Sequence, residues 1–309
     1  MLVAQPFPRP CGLADTPVPD LGDAVIGAWD DFLAVAHSAD LTKPSRLPCW
    51  TGRDLCIHLG TWDDHDVLPG IVAAAHNGGG APPKDAVAVN EANAALIALH
   101  ASAPVNDVLA ALQRSRDDLE AWFEGPEPTD LGRALVRSAV GELPLLSLLS
   151  AGCYELAVHA LDLRPCGAEP PSPFLLSRGL AALIDVTGAL AARHAVAMTV
   201  TAQTPTGGWS FTASERGWTN VEVTAGAYPG VGVRGSGADL LDVSAGRMAL
   251  PSLLLTRRLS VQQLPQFMRL APILSEVPGL PGGAALKAGV GGLSAVTGGV
   301  GKLLGKIRR

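Results

Sequence analysis

Glu155 and His159 stand four residues apart in Gly152-Cys153-Tyr154-Glu155-Leu156-Ala157-Val158-His159-Ala160-Leu161-Asp162-Leu163, which closes an apolar segment beginning near Leu143. On a helix, positions i and i+4 lie one above the other, so this carboxylate and imidazole address the same space. Both groups bind metals, and together they supply two ligands of a site that needs at least a third. Asp162 follows three residues after His159, near enough to that face to act as an outer partner. A third donor is available in His58, between Leu55 and Leu59 in the interior pattern of an upstream helix. His58, Glu155 and His159 would leave positions open for water or substrate, the condition for metal catalysis. A blander reading stands beside this one: a lone histidine on an apolar face is more often an ordinary half-buried polar residue.

The elements that would hold these groups follow from periodicity. Val25, Ile26, Trp29, Phe32, Leu33 and Ala36 recur at helical spacing, so a first helix runs from about Leu21 to His37. Thr51 and Asp54 form a capping-box pair that opens a second helix, expected to continue towards Ala75 and to stop at Gly78-Gly79-Gly80. Asn90–His100 is helical in pattern. Asn106 is placed to cap a further helix through Trp122 and Phe123, halted by Gly125-Pro126, and a long helix starting near Pro144 carries Glu155 and His159. About four long amphipathic helices in the first half fit a helix bundle.

The second half reads differently. A helix over 174–194 precedes β-like runs at 196–201, 209–213 and 221–224, then short helices at 239–245 and 261–274, an α+β pattern. The expected organisation is an irregular proline-rich arm (1–20), a helix bundle (21–168), a smaller α+β domain (173–278) and a Gly-rich basic tail (279–309).

Composition excludes several classes. Of 309 residues 48% are hydrophobic and 17% charged, so the chain has ample core material. A net charge of −6 argues against general nucleic-acid binding. Five cysteines without a Cys-x-x-Cys pair, and a start that lacks a signal-peptide pattern, imply a reduced, cytoplasmic protein. No uninterrupted apolar run suits a membrane span. The tail holds ten glycines and five basic residues and no acid; it reads as flexible, with weak contact to an anionic membrane surface as the sharper alternative.

Trp50-Thr51-Gly52-Arg53-Asp54-Leu55-Cys56-Ile57-His58-Leu59 resembles the Trp-Thr-x-x-x-(apolar)-x-x-His-Leu motif of the mycothiol-dependent maleylpyruvate isomerase family, part of the wider DinB-like superfamily of metal-binding four-helix bundles. Glu155-Leu156-Ala157-Val158-His159-Ala160-Leu161-Asp162-Leu163 is similar to that family's second motif, Glu-x-x-x-His-Ala-x-Asp-Leu. The resemblance spans most of residues 21–165. It implies a divalent metal, zinc being the expected ion, on His58, Glu155 and His159. More weakly, Gly208-Trp209, Val233-Arg234-Gly235, Asp239-Leu240-Leu241 and Gly246-Arg247 resemble the family's sterol-carrier-like C-terminal domain. An arginine of that domain is expected to reach the active site, Arg247 by position in the motif, with Arg234 as the alternative.

The function so implied is a mycothiol-type thiol-dependent isomerase or S-transferase acting on a small activated, carboxylated substrate. The metal would hold the thiol as thiolate. For an isomerase, the thiolate would add to an activated C=C bond, allow rotation and leave again, while Arg247 neutralises a substrate carboxylate. Two other readings stay open: a non-enzymatic carrier of an apolar ligand through the C-terminal half, and metal-assisted hydrolysis with Asp162 or Asp63 as base. Gly230–Gly235 matches G-x-G-x-x-G without a βαβ context, and Ser236 lacks a nucleophile-elbow setting. His65 reads as a rim residue, and Cys56 and Cys153 as small core residues.

Overall fold

The computed structural model describes residues 10–63, 67–80, 86–226, 229–270 and 273. His65 and the tail 279–309 lie outside the described residues. In chain order the elements begin with α1 (Val18–Ser38), α2 (Gly52–Leu59), α3 (Val67–His76), α4 (Ala86–Leu99), α5 (Val105–Glu124) and α6 (Glu127–Leu131). A small hairpin, β1 (Leu135–Ser138) and β2 (Gly141–Pro144), leads into α7 (Leu145–Asp162) and then α8 (Pro173–Arg193). The remainder is β3 (Met198–Thr204), β4 (Gly207–Ser214), β5 (Gly217–Thr224), β6 (Val231–Arg234), α9 (Gly237–Ser244), α10 (Leu250–Leu255), β7 (Ser260–Gln262) and α11 (Leu264–Phe267).

The molecule mixes helices and sheet. The larger sheet has the order β5-β4-β3-β6-β7, antiparallel throughout except for the parallel β3–β6 pair. One apolar core joins α1, α2, α5 and the second half of α7 through Phe32, Leu55, Ile57, Leu112, Leu156 and Leu161. The other lies between α8 and the sheet, around Leu190, Val200, Phe211 and Trp218, and takes in Leu145 and Leu146 from the start of α7. So α7 threads both cores and packs along α8, its most extensive neighbour. At their crossing a Cβ on Gly179 would stand 2.4 Å from that of Ala157, so only glycine lets the helices come so close. α8 is long and apolar enough to cross a bilayer, but 67% of that stretch is buried inside the protein.

Several expectations are corrected. The proline-rich start is not an irregular arm where it is described. Gly12–Asp15 form a 3-10 turn, Cys11 bridges Trp218 as an added strand residue, and Leu13 is buried. The second helix does not run on towards Ala75. It stops at Leu59 because Gly60 is extended and the Thr61 N–H turns away to the Ala111 carbonyl of α5 (3.1 Å). The helix expected over 261–274 begins instead as β7. Gln263, in a left-handed conformation (φ 51°), then breaks the chain before α11. Val105, after Pro104, starts the helix that Asn106 was expected to cap. The β1–β2 hairpin and β7 had no strand expectation, being short and weakly alternating.

Candidate metal centre

The loop before α2 is stitched to its own helix. Thr51 Oγ1 accepts the Asp54 N–H (3.2 Å) and Asp54 Oδ2 accepts the Thr51 N–H (2.7 Å), the reciprocal box legible in the sequence. With the start of α2 so set, His58 falls in its last turn, half-buried, and the Trp50 ring stands edge-on to its imidazole, centroids 5.6 Å apart. From α7, Glu155, His159 and Asp162 follow at i, i+4 and i+7 along one face.

The structure brings His58, Glu155 and His159 together, with one ligand atom of each within 4.8 Å of the others. His159 Nε2 lies 3.3 Å from Glu155 Oε2, and the two imidazole rings cross at 85° with centroids 5.6 Å apart. A tetrahedral zinc site with bonds of about 2.0–2.1 Å sets donors roughly 3.3 Å apart, so a small inward movement of the side chains would suit a divalent ion. Two imidazole nitrogens and one carboxylate oxygen are the donor chemistry such an ion takes. The side chain of Glu155 is 52% exposed while that of His159 is 7% exposed, which leaves one side of the group open.

Asp162, the third predicted residue of that face, is fully buried and holds the far side of the ring: its Oδ2 lies 3.1 Å from His159 Nδ1. An ionised carboxylate only accepts, so Nδ1 carries a proton towards Asp162; Nε2 faces Glu155 and His58, and the proton it shares with the Glu155 carboxylate is the one a metal ion would displace. Burial by itself would push the His159 pKa down. The flanking Asp162 and Glu155 outweigh it and hold the ring up at about 9. Crowding by the surrounding protein atoms also works against the Glu155 charge, even though its side chain reaches solvent, but His159, His58 and Arg247 leave its carboxyl below the usual carboxylate range. Asp162 is held far below that range, because the hydrogen bonds and charges of His159 and Arg247 overcome its burial.

Arg247 is brought next to this group, though its donors are already engaged. Its Nε and Nη2 donate to Asp162 (3.0 and 2.9 Å) and its Nη1 to the Ala245 carbonyl (3.0 Å), with the side chain 12% exposed. Arg234, the alternative, ends β6 and donates to the Gly226 carbonyl and to Gln203 Oε1 (3.4 Å). It lines a cavity with Ser236 and Arg258 that includes none of the three candidate ligands. Ser236 itself caps α9 by accepting the Asp239 N–H (3.1 Å). Asp162 makes a poor general base: its two oxygens are shared among Arg46, Arg247 and His159. Asp63 is exposed in a turn. Cys56 and Cys153 are core residues; burial raises both thiols, that of Cys153 to about 12.

Sequence reasoning missed Arg46 and Asp242. Arg46 Nε donates to Asp162 Oδ1 (2.9 Å), and its Nη1 and Nη2 donate to the Asp242 carboxylate (2.9 and 2.6 Å). No local pattern marks them, since the partners are separated by 116 and 196 positions.

Residues 23–164 match the family described as the mycothiol maleylpyruvate isomerase N-terminal domain. Among solved structures, the chain is similar to the crystal structure of the mycothiol-dependent maleylpyruvate isomerase, at 20% identity and a TM-score of 0.49, covering 77% of this chain and 92% of that one. A histidine-to-alanine mutant of that enzyme gives a TM-score of 0.48 at the same identity and coverage. No curated protein matches the chain.

Proposed function

From the premise that residues 23–164 belong to the mycothiol maleylpyruvate isomerase N-terminal domain family, we propose that the chain is a metal-dependent enzyme working with a low-molecular-weight thiol of the mycothiol type. Its reaction is an isomerisation, or a related S-transfer, of a small activated substrate carrying a carboxylate. In this reading α1, the α2–α3 segment, α5 and α7 are the helices of a DinB-like bundle. The described residues 173–270 form a sterol-carrier-like α+β half that delivers Arg247.

The observation that supports it best is the convergence of His58 from α2 with Glu155 and His159 from α7 around a space open on the Glu155 side. Those three residues would hold the ion, and a divalent cation there supplies the Lewis acidity that keeps a thiol ionised at neutral pH. Asp162 keeps the proton on Nδ1 of His159, so that Nε2 is the donor. Arg247 sets a positive charge beside Glu155 and Asp162, where a substrate carboxylate and developing negative charge would be stabilised. Trp50 walls the His58 side with an apolar ring. A carrier role for the second half is not favoured: Phe211 and Trp218 fill the space between α8 and the sheet, both with 0% exposure.

Elemental analysis of the tag-free full chain, beside His58→Ala, Glu155→Ala and His159→Ala, tests this. The expected result is near-stoichiometric metal that each substitution removes from a still-folded chain, with thiol-dependent isomerase activity in the metal-loaded protein. Metal-free wild type, or metal kept by all three variants, would overturn it.

A further inference from the structure

Arg46 binds the candidate centre to both halves of the molecule. It sits in the loop between α1 and α2, where its main-chain N–H donates to the Asp162 carbonyl (2.9 Å). The neighbouring Ser45 bonds the Trp50 carbonyl through both its N–H and its hydroxyl (2.8 Å each). The Arg46 guanidinium then forks, one edge to Asp162 at the end of α7 and the other to both oxygens of Asp242 in α9. Its own side chain is 26% exposed, while those of the two aspartates are 0% and 6% exposed. Asp242 in turn accepts the Arg247 N–H on its carbonyl (2.8 Å), which fixes the turn that aims Arg247 back at Asp162. Among the described residues, the side-chain hydrogen bonds to the Asp242 carboxylate all come from Arg46.

We propose that Arg46 is a positioning residue for the centre. It acts through Asp162 to set the plane of His159 and through Asp242 to hold Arg247 in place. Two carboxylates at different angles need a planar donor with a fixed fork. A lysine offers one point charge and can serve one of them well. Without the fork, Asp162 keeps its two-point contact with Arg247, but Asp162 is no longer tied to the Asp242 carboxylate, so the Asp162–Arg247 side-chain pair can shift together and the Nδ1–H of His159 loses its fixed acceptor. The consequence for metal binding rests on the reading of His58, Glu155 and His159 as ligands; the orientation of His159 does not.

The test uses the full chain with Arg46→Gln, Arg46→Lys and Asp242→Asn, each checked for cooperative thermal unfolding. On metal-free protein, ¹⁵N-edited NMR follows the Nδ1–H proton of His159, assigned by its absence in His159→Asn. That proton should be protected from exchange in the wild type, lost in Arg46→Gln and partly recovered in Arg46→Lys. Zn²⁺ competition against a chromophoric chelator should then show affinity about 10–100-fold weaker in Arg46→Gln. A protected Nδ1–H and wild-type Zn²⁺ affinity in a folded Arg46→Gln chain would overturn the proposal. Should Arg46→Gln not fold, the same two readouts on Arg46→Lys and Asp242→Asn decide, unchanged values again overturning it. A wild type that protects the proton yet fails to bind Zn²⁺ would sink the metal reading, and the NMR comparison would still decide the role of Arg46.

Discussion

Asp162 at the end of α7 and Asp185 in the middle of α8 have almost no exposed surface, 0% and 1%. Each gathers hydrogen bonds from segments far away in the chain. Around Asp162 the donors are the Arg46 and Arg247 guanidiniums and the His159 imidazole. Around Asp185 they are the Leu13 N–H (2.8 Å), Ser147 Oγ (2.8 Å) and Trp218 Nε1 (2.8 Å), all neutral. Desolvation penalises charge at both sites. The cations around Asp162 overcome that penalty; at Asp185 burial prevails over the three hydrogen bonds and lifts the carboxyl to about 6. The first arrangement keeps a carboxylate ionised between two guanidiniums and the Nδ1 of an imidazole. The second uses a carboxyl as a knot that ties the start of the chain, α7 and β5 to α8.

The largest effect that would break this contrast is Asp162→Asn. It leaves two arginines around a buried neutral amide, and should cost about 3–5 kcal/mol by urea unfolding, whereas Asp185→Asn should stay within about 2 kcal/mol. Equal costs would mean that the guanidiniums do not distinguish the two sites.

pH gives the next largest effect, with opposite signs. Asp185 has its folded pKa raised above the unfolded value, so its stability contribution is fully present below pH 4 and is lost as pH rises to about 6. Asp162, with its folded pKa depressed, contributes stability above about pH 4 that is lost on further acidification. The stability difference between wild type and Asp185→Asn should therefore change by about 2–3 kcal/mol between pH 7 and pH 4, in favour of the wild type at the acidic end. A pH-independent difference would refute the raised value.

Gly12→Ala should follow at about 1–3 kcal/mol in thermal or urea unfolding. Gly12 has φ +61°, and a Cβ there would stand 1.9 Å from Asp185 Oδ1 and 2.0 Å from Trp218 Nε1. The smallest expected effect is Thr51→Ala, about 0.5–2 kcal/mol in urea unfolding from loss of the α2 cap.

Much of the candidate centre was legible because its logic is local. The four-residue spacing of Glu155 and His159, the Thr51–Asp54 box and the Pro144 start of α7 each depend on helix geometry within one or two turns. His58 became a candidate through its interior position and the Trp50–Leu59 motif. The helix over 173–193 and the runs that became β3, β4 and β5 were marked by periodicity, though their ends shifted by a few residues.

What the amino-acid order could not reveal on its own is which distant charges meet. Nothing near Arg46 names Asp162 or Asp242, and nothing near Pro10–Asp15 announces that Cys11 and Leu13 are core residues against Trp218 and Asp185. Composition and periodicity specify the faces an element offers, because those depend on 3.6- and 2-residue repeats. The pairing of one face with another depends on how α7, α8 and the sheet pack, and only that packing made Asp162 an anion held by two arginines and Asp185 a knot in the core.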